Sequence, residues 1–249
     1  MQGVAHRAPR IKFCGITSVA DAELAVSLGA WAVGLILWPE SKRACDPGEG
    51  IRISNTVRRK VEVAGVFVNQ SLDEVAAFVD MLALSVVQLH GEEGPAFATE
   101  VRRRTGAKVI KAQSVRLASD VLAVQAFHAI DYHLLDTYRE GQRGGTGETF
   151  DWRMLSRRST DVPLILSGGL NPENVAEAIA AADPFAVDVA SGVEAAPGVK
   201  DPEKMKAFAA AVRATADEPE PEPKVRASEA PKPTATPAGR RAPVRPASR

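Results

Sequence analysis

Between residues 10 and 215 the chain repeats one beat. A short run rich in Val, Ile and Leu gives way to an Ala/Leu-rich stretch of helical period, and the cycle begins again. Expected strands are IKFCGI (11–16), AVGLIL (32–37), VEVAGVFV (61–68), VVQLH (86–90), KVIKAQ (108–113), YHLLDT (132–137), PLILSG (163–168) and AVDVAS (186–191). Expected helices lie at about 19–29, 47–59, 72–84, 95–105, 119–128, 151–158, 172–181 and 201–214. Three helix starts carry chemical signals. Asn171-Pro172 and Asp201-Pro202 each put a capping side chain before a proline suited to the first helical position. Ser71 and Glu74 stand at capping-box spacing. Strands alternating with helices in this number fit a single (β/α)8 TIM barrel, an α/β fold. Open doubly wound sheets also alternate, but a barrel gathers functional side chains at the C-terminal ends of many strands. Here those ends are polar: Cys14, Gln88 with His90, Asp136, Ser167-Gly168-Gly169, and Asp188 with Ser191-Gly192.

The flanks differ from this core. Residues 1–9 read as a ragged start without the apolar stretch of a secretory signal. Residues 216–249 hold eight of the 17 prolines and no aromatic residue. Such a segment buries too little apolar area to offset its ordering entropy, so a disordered tail rich in Pro, Ala and charge is expected there. The barrel domain is therefore assigned to 10–215. The 31 basic and 31 acidic side chains cancel, which points to neither nucleic acid nor membrane as a partner. No apolar run is long enough to span a bilayer. Two cysteines, Cys14 and Cys45, argue against a disulfide framework and fit a reducing, cytoplasmic setting. With no CxxC and no Cys/His cluster, no metal site is expected.

The run Ser167-Gly168-Gly169-Leu170 follows an apolar strand and precedes Asn171-Pro172. Glycines let backbone N–H groups approach an anion with no Cβ in the way. Ser191-Gly192 forms a second small-residue loop after the next strand. In barrels, the loops after strands seven and eight commonly build a phosphate site. Gly168, Gly169, Ser191 and Gly192 are its candidates. A third glycine loop, Gly144 to Gly147, has three readings: a phosphate contact through Gly145, a lid, or only a long loop.

Cys14 is open to several readings on its own: a small core residue, half of a redox or metal site, a nucleophile, or a base. Side chains alternate along a strand, so Lys12 and Cys14 share one face of IKFCGI, and Leu134 and Asp136 share one face of HLLDT. If the polar faces turn inward, Cys14 and Asp136 meet at the barrel mouth from different sides. That arrangement suits taking a proton at one atom and giving one at another.

The chain resembles the phosphoribosylanthranilate isomerase family of tryptophan biosynthesis. The matching runs are KFCGIT (12–17), GVFVNQ (65–70), VQLHG (87–91), LLD (134–136), GGTGETFDW (144–152), LSGGLNPENV (166–175), DVASGVE (188–194) and PGVKD (197–201). They stand in family order and cover almost all of residues 10–214. The resemblance implies an intramolecular aldose-ketose isomerisation, an Amadori rearrangement of N-(5-phosphoribosyl)anthranilate to 1-(2-carboxyphenylamino)-1-deoxyribulose 5-phosphate. It implies Asp136 as the acid, Cys14 as the base, Arg43 as the holder of the anthranilate carboxylate, no cofactor, a phosphosugar as the partner molecule, and a monomer or homodimer. Gln88, His90, Gly145 and Asp188 are candidate substrate contacts. Trp38 is read either as a stacking partner for the anthranilate ring or as a half-buried strand-end aromatic.

These residue types set physical conditions. Free aspartate ionises at about 3.9 and cysteine at about 8.5. The acid must therefore be raised by burial and by the substrate's own negative charge, and the base is thiolate in a minority of molecules. Lys12 stands where it could stabilise that thiolate, but a buried lysine needs a partner, and Asp188 on the neighbouring strand is the expected one. Two other readings differ in class. A different phosphate-binding barrel enzyme would carry aspartate where Cys14 stands, as in the histidine-pathway sugar isomerase, or metal-ligand histidines, as in the pentose-phosphate epimerases. A binding protein on a retired scaffold would show decay at the strand ends.

Overall fold

The Val- and Ile-rich runs form eight parallel strands that close into a barrel in chain order. They are β1 (Arg10–Cys14), β2 (Ala32–Ile36), β3 (Glu62–Phe67), β4 (Val86–Leu89), β5 (Lys108–Val115), β6 (Tyr132–Thr137), β7 (Leu164–Leu166) and β8 (Ala186–Val189). The structure is a computed structural model and describes residues 7–137, 155 and 158–216. Closure comes from β1, which pairs with β2 on one side and with β8 on the other. Helices α1 (Val19–Ser27), α2 (Pro47–Val57), α3 (Leu72–Leu82), α4 (Pro95–Thr105), α5 (Ala118–Ala123), α6 (Val175–Ala182) and α7 (Pro202–Arg213) connect the strands or follow the last of them. The (β/α)8 barrel expected from the sequence is the fold observed. Of the helix expected at 151–158, only Leu155 and Arg158 lie within the described residues. The glycine loop with Gly145 and the segments 1–6 and 217–249 lie outside them.

Local chemistry explains most boundaries. Ser71 accepts from the Glu74 N–H while the Glu74 carboxylate accepts from the Ser71 N–H, a complete capping box for α3. Asp201 accepts from the N–H groups of Glu203 and Lys204, and Pro202 begins α7. The Asn171-Pro172 signal behaves differently. Asn171 accepts from the N–H groups of Glu173 and Asn174, but it caps a turn, and α6 begins three residues later than expected, at Val175. The reason is that the Asn174 side chain is also engaged, accepting from Asn171 N–H and donating to the Gly169 carbonyl. The expected helix at 119–128 is a short α5 that tightens into a 3-10 turn over Val124–Ala126.

Alternation along the strands sorts the side chains into shells. Outward-facing Phe13, Val33, Phe67, Leu89 and Val187 pack under the helices with Ile53, Val79 and Phe208 in the larger apolar core. Fully burying one such side chain contributes about 1.5–3 kcal/mol. A second cluster fills the barrel: Ala64, Val86, Ile110, Ala112, Leu134, Ile165 and Ala186. Trp31, Tyr132 and Phe185 pack beneath it, with ring centroids 5.1–5.4 Å apart. Two residues further along four of these strands, on the same face, the apolar layer gives way to Gln88, Asp136, Ser167 and Asp188, all buried.

Candidate active site

This polar layer sits at the C-terminal end of the barrel because period 2 carries each strand from its packed interior residue to the next inward position. Val86 leads to Gln88, Leu134 to Asp136, Ile165 to Ser167 and Ala186 to Asp188. Lys12 and Cys14 complete the ring from β1.

Register places Lys12 opposite Asp188 across the β1–β8 seam. Lys12 Nζ donates to Asp188 Oδ1 at 2.7 Å, and the lysine is 0% exposed. The pairing expected from the sequence is the one formed. Ser167 Oγ donates to the other carboxylate oxygen at 3.3 Å. Burial alone would drive the Lys12 ammonium to lose its proton, but Asp188 and Cys14 outweigh it and hold its pKa above the ordinary value.

Cys14 ends β1, buried, opposite Gly34 of β2. A Cβ on Gly34 would lie 2.8 Å from Cys14 Sγ and 3.2 Å from Lys12 Nζ, so only glycine leaves room for both groups. Burial pushes the Cys14 thiol up, Lys12 and Lys200 pull it down, and Asp188 adds to the rise; the net direction is upward. The resting form is the thiol, with ammonium groups beside it that favour the thiolate once it forms.

On the far side, Gln88 Nε2 stands 3.0 Å from His90 Nδ1. With the amide donating, Nδ1 is the acceptor and the proton of the neutral ring sits on Nε2. That nitrogen faces Asp136 Oδ2 at 3.6 Å, longer than a hydrogen bond. Gln88 Oε1 and His90 Nε2 are buried and have no hydrogen-bond partner among the described residues. Buried polar atoms in that state mark places where a ligand's hydroxyl or water completes the pattern.

The two expected phosphate loops touch. A Cβ on Gly192 would lie 1.9 Å from the Leu170 carbonyl oxygen, so the loop after β8 closes onto the loop after β7 only because residue 192 is glycine. Gly168 and Gly169 both adopt positive φ, 96° and 66°. Ser191, Gly192 and Val193 form a single 3-10 turn. Gly168, Gly169, Ser191 and Gly192 thus gather at one edge of the mouth.

Arg43 lies on the segment after β2, its stem against Gly15, where an added Cβ would stand 3.2 Å from Arg43 Cδ. Its guanidinium is already engaged. Nε donates to both oxygens of Glu194 at 2.9 and 3.0 Å, and Nη2 donates to Oε2 at 2.9 Å. Glu194 also takes Lys200 Nζ at 3.1 Å, and Lys200 donates to the Ala190 carbonyl at 3.0 Å. Burial opposes charge on Glu194, but Arg43 and Lys200 outweigh it and hold the carboxyl below its usual range. Lys200 is shifted downward, chiefly by burial. Neither Glu194 nor Lys200 stood out in the sequence. They belong to a small ribbon, β9 (Glu194–Ala196) against β10 (Val199–Lys200), too short for periodicity to reveal. Their signal was two charges in the otherwise apolar and small stretch 192–200, which must pair if buried. Trp38, on the segment after β2, is half-buried. Cys45 is buried under α2, away from the polar layer, with its thiol pushed up to about 11 by burial and by Glu49 and Asp46.

No group of three or more His, Cys, Asp or Glu among the described residues could hold a metal ion, and no helix among them is long and apolar enough to cross a membrane.

A closed (β/α)8 barrel with ionisable groups gathered at its C-terminal mouth defines the class: a barrel enzyme, here an isomerase. Residues 11–211 match the family of N-(5'-phosphoribosyl)anthranilate (PRA) isomerases. The N-(5'-phosphoribosyl)anthranilate isomerase of Citrifermentans bemidjiense is 45% identical over 197 residues, which cover 79% of this chain and 93% of that protein. The crystal structure of phosphoribosyl anthranilate isomerase from Thermotoga maritima superposes with a TM-score of 0.76 at 40% identity, covering 83% of this chain and 99% of that one. A crystal structure of the isomerase in complex with reduced 1-(o-carboxyphenylamino)-1-deoxyribulose 5-phosphate reaches a TM-score of 0.73 at 38% identity, over 83% of this chain and 99% of that one. The chain belongs to the phosphoribosylanthranilate isomerase family.

Proposed function

We propose that the chain converts N-(5-phosphoribosyl)anthranilate to 1-(2-carboxyphenylamino)-1-deoxyribulose 5-phosphate by general acid-base catalysis, as a step of tryptophan biosynthesis. The observation that carries this reading is the pairing of two unlike groups in the buried polar layer: Cys14 beside the Lys12–Asp188 pair, and Asp136 facing His90. The carboxylate and phosphate groups of the reduced analogue bound by a relative are the chemistry that Arg43 and the glycine loops suit.

In this reading Asp136 gives a proton to the furanose ring oxygen. The C1′–O bond breaks, the anthranilate nitrogen lone pair forms the C1′=N bond of a Schiff base, and the sugar opens. The Cys14 thiolate removes the proton from C2′, and the electron pair moves through C2′=C1′ to the nitrogen, giving the neutral enolamine. Tautomerisation to the ketone then leaves C2′ oxidised and C1′ reduced, with no net loss of electrons. Gln88 Oε1 and His90 Nε2 stand ready for substrate hydroxyls, and Asp188 holds Lys12 beside the thiol. Arg43 takes the aryl carboxylate; Gly168, Gly169, Ser191 and Gly192 offer backbone N–H groups to the phosphate. Gly145, a candidate substrate contact, lies outside the described residues.

The test follows the loss of phosphoribosylanthranilate fluorescence with purified protein, beside Cys14→Ala and Arg43→Ala. Turnover by wild type, its collapse in Cys14→Ala and a raised KM in Arg43→Ala are expected. A folded wild-type protein that leaves fresh substrate untouched would favour a binding scaffold. The homodimer reading draws support from the Thermotoga maritima relative, a dimeric protein from which monomers have been generated. Sedimentation of the full chain distinguishes the two states.

A further inference from the structure

The guanidinium of Arg43 has five N–H donors in a rigid plane, and its edges are not equivalent. Glu194 occupies the side edge, Nε with Nη2, through three hydrogen bonds of 2.9–3.0 Å. Among the described residues, what remains for a second carboxylate is the end edge, Nη1 with the other Nη2 hydrogen. The Arg43 side chain keeps 16% exposure while Glu194 keeps 4%, so a ligand can reach the arginine but not the glutamate.

Glu194 is itself pinned from behind. Lys200 Nζ, fully buried, reaches Glu194 Oε1 and the Ala190 carbonyl. Gly198 N–H adds a longer contact to Oε1 at 3.4 Å, and Lys204 Nζ donates to the Glu194 carbonyl at 2.9 Å. The Gly198 carbonyl in turn accepts from Thr17 Oγ1, tying the ribbon to the loop after β1. Arg43, Lys200 and the Gly198 N–H thus converge on one carboxylate. An arginine on an open loop would otherwise lose rotamer freedom on every binding event.

We propose that Glu194 is a positioning residue: with Lys200 behind it, it holds Arg43 so that only the end edge of the guanidinium meets the substrate's aryl carboxylate. The inference rests on the isomerase reading and deepens it. The site then selects a phosphosugar bearing a planar carboxylate at its aryl end. A ligand without that carboxylate draws nothing from the device, since the arginine is already paired.

The test measures two ligands against wild type, Glu194→Gln and Glu194→Asp. One is reduced 1-(o-carboxyphenylamino)-1-deoxyribulose 5-phosphate; the other is the same molecule lacking the carboxyl group. Fluorescence titration gives both affinities, and steady-state turnover of phosphoribosylanthranilate gives KM and kcat. Glu194→Gln is expected to weaken the carboxylated ligand and raise KM about tenfold, as expected for a lost charge-assisted contact. The decarboxylated ligand should bind within about twofold of wild type, because its contacts are elsewhere. Glu194→Asp, which keeps the charge but withdraws it, should lie between. It carries the same comparison if the glutamine variant does not fold.

Equal weakening of both ligands would mean that Glu194 only supports the loop, and would overturn the proposal. So would unchanged affinity for both. Failure of folded wild type to convert phosphoribosylanthranilate would overturn the isomerase reading and this one together. Conversion by wild type with an undiscriminating Glu194→Gln would overturn this one alone.

Discussion

Lys12 Nζ and Asp188 Oδ1 lie 2.7 Å apart, joining the first strand of the barrel to the last with neither side chain more than 6% exposed. The pair closes the barrel seam electrostatically and places an ammonium beside Cys14. Breaking one side of a buried pair leaves the other charge without its partner. Asp188→Asn should therefore destabilise the fold by about 3–5 kcal/mol. Replacing both partners by apolar residues, Lys12→Met with Asp188→Leu, should recover most of that stability. Turnover should not recover with it, because the ammonium beside the thiol is gone. Urea unfolding with parallel assays separates the two effects.

The pH dependence follows from Cys14. Burial lifts its thiol above the ordinary cysteine value, and a base acts only when deprotonated. The thiolate fraction therefore grows as pH rises and saturates only above the raised pKa. If Cys14 is the base while Asp136 must keep its proton, kcat/KM follows a bell set by the two groups together, and the rising thiolate has to be read apart from turnover. Thiolate ultraviolet absorbance followed against pH in a Cys45→Ala background, with stability checked at each point, does so. A Cys14 already fully thiolate at neutral pH would contradict the raised value.

Asp136 and His90 should divide their effects. If Asp136 delivers the proton in the transition state, Asp136→Asn lowers kcat by about 10²–10⁴ with little change in KM. His90 faces Asp136 at 3.6 Å and is held by Gln88. His90→Asn keeps a hydrogen-bonding group and should cost kcat far less. Equal losses in the two variants would make the pair a single catalytic unit.

Gly192→Ala tests the phosphate edge. Its Cβ would meet the Leu170 carbonyl at 1.9 Å, a backbone atom that cannot swing aside. The loops after β7 and β8 must then part. KM for phosphoribosylanthranilate and competitive inhibition by inorganic phosphate should both weaken, while thermal stability falls by about 1–3 kcal/mol for an overpacked contact. Unchanged phosphate inhibition would place the anion elsewhere.

Ser71→Ala provides the contrast. It removes half of the α3 capping box and should cost about 1 kcal/mol of stability. Among the described residues, the side-chain hydrogen bonds of Ser71 stay with Glu74, so kcat and KM should remain at wild-type values. Chemical denaturation with a steady-state assay checks both.

Much of this molecule is legible in the order of its residues. The alternation of β-branched runs with helical stretches names a parallel α/β fold because each strand must return by a helix to pair in parallel, and the polar ends of many strands favour a barrel over an open sheet. Period 2 also tells which strand residues share a face, so the pairing of Lys12 with Cys14 and of Leu134 with Asp136 on common faces follows from spacing alone. Capping signals worked where the side chain had one task, as at Ser71 and Asp201. They misplaced the start of α6, where Asn171 and Asn174 engage each other and Gly169 first. Helix α5 came out shorter than its pattern, which runs on into the 3-10 turn over Val124–Ala126.

Other relationships required the closed barrel. Sequence motifs near 14, 34, 43 and 194 do not say that Gly34 makes room for Cys14, or that Arg43 meets a glutamate 151 residues further along. Nor does the local sequence rank the forces on the Cys14 thiol, since burial and the fields of Lys12, Asp188 and Lys200 exist only once the strands have closed. Local geometry is written in spacing, because backbone periodicity repeats every two or 3.6 residues. Which charge finds which partner, and how far water is excluded from them, is decided only when distant strands are brought into register and the mouth of the barrel is complete.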